Sequence, residues 1–127
     1  MADKPTILIV DDDPTIRDMY EQRFQKAGFE VIVASNGDEG MKQALTHRPK
    51  AILLDIMMPT KGGLGTLEVL KTMPETKDIP VVVFTAYPAD QYKETSQRTG
   101  AAHFLSKSEV MPGEVVEKVQ ALLAEKQ

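Results

Sequence analysis

The sequence has no cysteine at all among its 127 residues. That excludes a disulfide framework and a thiolate metal site, and it suits a reducing compartment. It has no cluster of Lys and Arg that would track a phosphate backbone, and its formal net charge is -4. Direct nucleic-acid binding is therefore not expected. Apolar runs long enough to span a bilayer are missing too. The first residues, Met1-Ala2-Asp3-Lys4-Pro5, lack the basic and apolar regions of a signal peptide. These absences fit a cytoplasmic protein with no membrane partner. There is no internal repeat, low-complexity tract or linker. The expectation is one domain over residues 1–127, with 42% hydrophobic residues to build a single core.

What is present is an alternation. Apolar runs at Thr6–Val10, Glu30–Ser35, Ala51–Leu54, Val81–Phe84 and Ala101–Ser106 read as strands, several of them buried on both faces. Between them lie helical patterns. Pro14 opens the first with Asp13 as N-cap, Ile16, Met19, Tyr20, Arg23 and Phe24 at helical spacing, and Gly28 as its end. The second runs from about Gly37 to His47 with Met41, Ala44 and Leu45 inward. The third carries Leu64, Leu67, Val69 and Leu70, after a loop Pro59-Thr60-Lys61-Gly62-Gly63. A polar fourth starts at Pro88 and closes at Gly100; the last opens at Pro112 with Val115, Val116, Val119, Leu122 and Leu123 inward. Five βα units predict an α/β fold: an open parallel five-stranded sheet between two helical layers, with right-handed crossovers. The flavodoxin-like strand order 2-1-3-4-5 is the natural solution, because the chain is too short for an eight-fold barrel.

In such a sheet the strands' carboxyl ends share one edge, where ligands bind. Here those ends carry Asp11 and Asp12, Ser35, Asp55, Thr85 and Lys107. The predicted order brings Asp11, Asp12 and Asp55 together at the topological switch. Taken singly, each has an ordinary structural explanation: Asp12 or Asp13 before Pro14 as a helix cap, Thr85 as a turn hydroxyl, Lys107 as a solvated lysine, Phe104 as core. His47 and His103 have no partner at metal spacing, and Met41, Met57 and Met58 read as packing. Jointly, three carboxylates with one lysine leave excess negative charge, which a hard divalent cation such as Mg²⁺ (or Mn²⁺) would neutralise. No histidine or cysteine stands at a strand end, which disfavours zinc. Asp55 is then a carboxylate nucleophile of the kind that forms an aspartyl phosphate, with Lys107 and Thr85 as partners for phosphoryl oxygens. No Walker loop is present, so the donor is expected to be a protein or a small acyl phosphate.

The motifs Ile7-Leu8-Ile9-Val10-Asp11-Asp12-Asp13-Pro14, Leu54-Asp55-Ile56-Met57-Met58-Pro59, Phe84-Thr85-Ala86 and Phe104-Leu105-Ser106-Lys107 together make the chain resemble the receiver domain of two-component response regulators, along nearly its whole length. The resemblance implies that Asp55 accepts a phosphoryl group from a histidine kinase or histidine phosphotransferase. It assigns Asp11, Asp12, Asp55 and the backbone carbonyl of Met57 to Mg²⁺, Lys107 to a phosphoryl oxygen, and Thr85 with Phe104 to a switch that changes partner binding. The implied kinase contacts are Ile16 to Tyr20 and Ser108 to Met111. The output surface is the last strand with the fourth and fifth helices, facing an unidentified downstream protein. The expected state is a monomer, with dimerisation on phosphorylation open, and the domain is a switch rather than an enzyme, with no output domain in this sequence.

The sequence departs from the family pattern at four places. Ser108 replaces the usual proline after the lysine, so a trans Lys107–Ser108 bond is expected. Gly62-Gly63 stands where Asp-Gly is frequent. Met57 and Tyr87 form an apolar pair expected to slow loss of the phosphoryl group, and Pro88 stiffens a loop that often moves. Two other functions are carried alongside: a phosphorylation-independent adaptor with a silent site, and a Mg²⁺-dependent phosphatase using Asp11-Asp12-Asp13 as a D-x-D motif.

Overall fold

The computed structural model describes residues 4–56, 63–86 and 93–125. Five strands and five helices alternate: β1 (Thr6–Val10), α1 (Pro14–Lys26), β2 (Glu30–Ala34), α2 (Gly37–His47), β3 (Ala51–Leu54), α3 (Gly63–Thr72), β4 (Val81–Thr85), α4 (Lys93–Thr99), β5 (His103–Ser106) and α5 (Pro112–Glu125). The strands are all parallel in the order β2-β1-β3-β4-β5, as expected. Among the described residues, no helix is long and apolar enough to cross a membrane.

Strand alternation divides the core in two. Ile7, Ile9, Leu53, Val82, Phe84 and Leu105 face α1 and α5, meeting Tyr20, Phe24, Val115 and Val119. Leu8, Val10, Ile52, Leu54, Val81 and Val83 face the other layer, meeting Ala44, Leu67 and Leu70. The first side is aromatic. Phe24 stacks edge-on against Phe29 at 5.2 Å, and Tyr20 meets Phe84 edge-on at 5.1 Å.

Tyr20 has a consequence for pH. Burial lifts its phenol pKa to about 12, against a smaller opposing effect of the Arg23 charge. A folded-state value above the unfolded one stabilises the fold fully below the unfolded pKa of about 10, and that contribution disappears as pH rises through 12. Alkaline denaturation should therefore steepen between these values. Tyr20→Phe should flatten the profile in that window, as urea melts at stepped pH would read.

Helix ends follow the sequence signals. Asp13 accepts from the Thr15 and Ile16 amides, and Gly28 takes φ 97° while the Phe29 amide returns to the Phe24 carbonyl at 2.9 Å. Asn36 caps α2 through the Glu39 amide at 2.8 Å, and the Glu39 carboxylate answers to the Ser35 amide. Ser35 thus serves this cap.

Four expectations need correction. Leu45 is 37% exposed, and the face of α2 turned to the sheet is the small-residue stripe Gly37, Gly40 and Ala44. A Cβ on Gly40 would stand 3.0 Å from Val10, so α2 sits closer than a leucine face allows. Met41 is only half buried beside that stripe. Val69 is 43% exposed, because Leu67 and Leu70 set the inner face of α3 and Val69 falls opposite them. The fifth strand begins at His103 rather than Ala101, since Gly100 (φ 117°) and Ala101 are still tied to the Ser96 carbonyl at the end of α4. Gly63, expected in the loop, already belongs to α3. The expected start of the fourth helix at Pro88 lies outside the described residues. Within α4 the one buried side chain is Ser96, whose hydroxyl has no hydrogen-bond partner among the described residues.

Candidate functional site

Three strand ends, those of β1, β3 and β5, are carried one step past the last ladder residue by a backbone hydrogen bond. The Asp11 amide donates to the Ala34 carbonyl (3.0 Å), the Asp55 amide to the Val10 carbonyl (2.9 Å), and the Lys107 amide to the Thr85 carbonyl (2.7 Å). The sheet register (Val10 beside Leu54, Leu54 beside Val83, Thr85 beside Ser106) sets these residues along one edge. Two buried strands end in carboxylates there: Asp11 is 2% exposed and Asp55 5%.

Lys107 reaches over from the far side. Its Nζ donates to Asp11 Oδ2 at 2.7 Å and to Asp55 Oδ2 at 3.2 Å, and it lies 5.4 Å from the centre of the Phe84 ring. Phe84 has its place here because it precedes Thr85 and alternation turns it to the opposite face. Burial works against the Lys107 ammonium, but its hydrogen bond to Asp11 and the two carboxylate charges outweigh that, so its pKa lies above the ordinary value. Asp11 is likewise shifted up. Burial is the largest cause, partly offset by Lys107 and by the Asp13 amide, which donates to Asp11 Oδ1 at 2.9 Å; the Asp55 charge adds to the rise.

Asp12 is exposed beside this pair, and ligand oxygens of Asp11, Asp12 and Asp55 all lie within 4.8 Å of one another. Among the described residues, the Lys107 ammonium faces three carboxylates, which leaves negative charge in a partly buried place. All-oxygen donors with no sulfur or imidazole fit a hard divalent cation such as Mg²⁺.

Thr85 is fully buried, and its Oγ1 has no hydrogen-bond partner among the described residues. A buried hydroxyl in that state costs about 1–3 kcal/mol, which makes it a candidate to accept a new partner. Phe104 is half buried and packs against the aliphatic side of the core. Alternation along β4 puts Thr85 on the same face as Val81 and Val83, so Thr85 and Phe104 belong to one layer.

The structure thus brings together Asp11, Asp12, Asp55 and Lys107, with Thr85 at the next strand end and Phe104 two positions inward of Ser106. Asp13 is the expected cap. Met57, Tyr87 and Pro88 lie outside the described residues, as does Gly62. There is no cis peptide bond among the described residues, in keeping with the trans expectation at Lys107–Ser108. Ser108 Oγ lies 3.0 Å from Ser106 Oγ, a contact that proline could not make.

Residues 7–120 match the profile of the response regulator receiver domain. The chain belongs to that family. Receiver domains act in two-component signalling by phosphorylation; they are phosphoacceptor modules rather than catalytic enzymes, bind Mg²⁺ at their acidic cluster, and interact with histidine kinases. Among curated relatives, the transcriptional regulatory protein PrrA of Mycobacterium tuberculosis is 36% identical over 119 residues, covering 94% of this chain and 50% of PrrA. The alkaline phosphatase synthesis transcriptional regulatory protein PhoP of Bacillus subtilis is 34% identical over 118 residues, 92% of this chain and 48% of PhoP. This receiver domain therefore spans about half the length of the curated relatives it matches. Among solved structures, a response regulator from Chloroflexus aurantiacus superposes with TM-score 0.88 at 33% identity, covering 95% of this chain and 98% of that one. The chemotaxis protein CheY4 of Vibrio cholerae gives 0.86 at 27% identity, covering 93% and 98%.

Arg17 is a residue that no motif singled out. Its Nη1 donates to the Asp11 carbonyl at 3.0 Å. The only sequence signal for it is its place one turn into α1, four residues after the N-cap.

Proposed function

We propose that Asp55 is the phosphoacceptor of a two-component switch. The observation that supports this most directly is the Lys107 bridge between Asp11 and Asp55, which holds a cation beside a buried carboxylate at the sheet edge. An Asp55 oxygen attacks the phosphorus of a phosphohistidine on a histidine kinase or phosphotransferase. The P–O bond forms as the P–N bond breaks, and the imidazole nitrogen keeps the electron pair and takes a proton from solvent. With acetyl phosphate, acetate leaves instead. Asp11, Asp12 and Asp55, with the Met57 carbonyl, are the residues to hold Mg²⁺, which when bound offsets charge on the transferred group. Lys107 exchanges one carboxylate contact for a phosphoryl oxygen.

The readout follows from packing. The Thr85 hydroxyl turns to the new phosphoryl oxygen, and the Phe104 ring moves into the space it leaves, so a local charge change biases a two-state packing element. The altered surface is formed by β5, α4 and α5, where a downstream protein would bind.

The test is intact mass after incubation with acetyl phosphate and Mg²⁺. One phosphoryl adduct, absent with EDTA, is the expected result. No adduct from acetyl phosphate or from a panel of phosphorylated kinases would overturn the proposal in favour of an adaptor with a silent site. Steady turnover of phosphate esters would favour a phosphatase.

A further inference from the structure

We infer that Arg17 is a positioning residue for the acidic loop, and that it sets the affinity of the site for a divalent cation. This rests on the reading of Asp11, Asp12 and Asp55 given above and adds a residue outside that set.

Asp12 differs from its two acidic partners. Asp11 and Asp55 are buried at strand ends and fixed by backbone bonds to neighbouring strands. Asp12 is exposed and sits beyond the sheet, where no ladder reaches it. The bonds that fix its place run through the residues on either side. On one side the Arg17 guanidinium donates to the Asp11 carbonyl at 3.0 Å. On the other the Arg17 amide donates to the Asp13 carbonyl at 2.9 Å. One residue thus holds the peptide carbonyls that flank Asp12, with α1 as the rigid arm. Asp13 completes the frame, its amide donating to Asp11 Oδ1 and its carboxylate accepting from the start of α1.

The chemistry favours arginine for this task. A guanidinium is permanently charged and planar, so it can hold a carbonyl while lending positive charge to a loop of three consecutive carboxylates. That charge reduces the repulsion that would push Asp12 away from Asp11 and Asp55. A metal ligand that is not pre-placed must be ordered at the moment of binding, and partners that orient ligands commonly matter by 10–100-fold in metal affinity. The side-chain bond of Arg17 is to the backbone carbonyl of Asp11, so it acts through the backbone.

The experiment is a Mg²⁺ titration of the metal-free full chain, followed by calorimetry and amide chemical shifts, for wild type, Arg17→Gln, Arg17→Lys and Asp12→Ala. Arg17→Gln should bind Mg²⁺ about tenfold more weakly, with shift changes at residues 11–13 and a nearly unchanged melting temperature in EDTA. Arg17→Lys should recover part of the affinity. In an Asp12→Ala background, Arg17→Gln should cost far less than it does alone, since the ligand it places is gone. Wild-type affinity in Arg17→Gln would overturn the inference while leaving the phosphoacceptor site standing. So would a loss matched by a large fall in melting temperature and shift changes spread along α1, which marks a general structural role. If the wild type itself takes up no Mg²⁺, or Asp12→Ala binds as well as wild type, the assigned cation site fails and Arg17's role falls with it.

Discussion

An Asp55→Asn protein incubated with acetyl phosphate and Mg²⁺ should gain no phosphoryl group, and it should melt in EDTA at or above the wild-type temperature. The first half follows from chemistry: an amide oxygen is a poor nucleophile and cannot give the acyl phosphate. The second half follows from electrostatics. Asp55 is buried, faces two further carboxylates within 4.8 Å, and its charge helps to raise the Asp11 pKa. Asparagine keeps the shape and an oxygen for Lys107, now 3.2 Å from Asp55 Oδ2, and removes one of the repelling charges. Loss of phosphorylation without loss of stability is the mark of a group kept for function at the expense of the fold. Intact mass and a thermal melt on the same sample read both. An adduct on the Asn variant would move the phosphoacceptor elsewhere, and a marked fall in melting temperature would mean that the Asp55–Lys107 pair outweighs the repulsion.

Phe24→Ala should be the most damaging single core truncation on the α1 side, at about 3–5 kcal/mol. Phe24 is fully buried, lies against Phe29 edge-on, and its ring centre is 6.5 Å from that of Tyr20. The neighbours cannot close the hole easily. Phe29 is fixed just before β2 by the hydrogen bond its amide donates to the Phe24 carbonyl, and Tyr20 is pinned by Phe84. Domains of this size have roughly 5–15 kcal/mol in total, so the variant would melt roughly 10–20 °C lower. A denaturant melt checks the size of the effect. A loss below about 1 kcal/mol would mean that the aromatic side repacks freely, contrary to the close packing seen in protein interiors. The damage should also reach the site, because at its other end α1 is capped by Asp13 and carries Arg17.

Much of this was legible in the sequence for a physical reason. Strands buried on both faces give unbroken apolar runs, so β1, β3 and β4 showed themselves, and the groups that end them fell on one edge once parallel order was inferred. Helix α2 was harder. Its inner face is glycine and alanine, so hydrophobicity pointed to Leu45 when close approach to Val10 was the real criterion. Val69 misled in the same way, as a large apolar residue on the wrong side of α3. The beginning of β5 was blurred by a glycine turn that is still closing α4. Arg17 was invisible for another reason: its contact is to a backbone carbonyl, which every residue offers, so no pairing of residue types announces it.

The Lys107 bridge also bears on when the site comes into being. It joins residues 96 and 52 positions apart in the chain, to Asp11 and Asp55 respectively. Contacts so distant in sequence carry the largest loop-closure entropy and tend to form late in folding. Strands β1 and β3 can pair before β5 has docked, but the acidic cluster then stands without its lysine. A chain halted before residue 107 would own every carboxylate of the site and lack the ammonium that bridges Asp11 and Asp55. On the reading proposed above, competence to accept a phosphoryl group would thereby be tied to completion of the sheet.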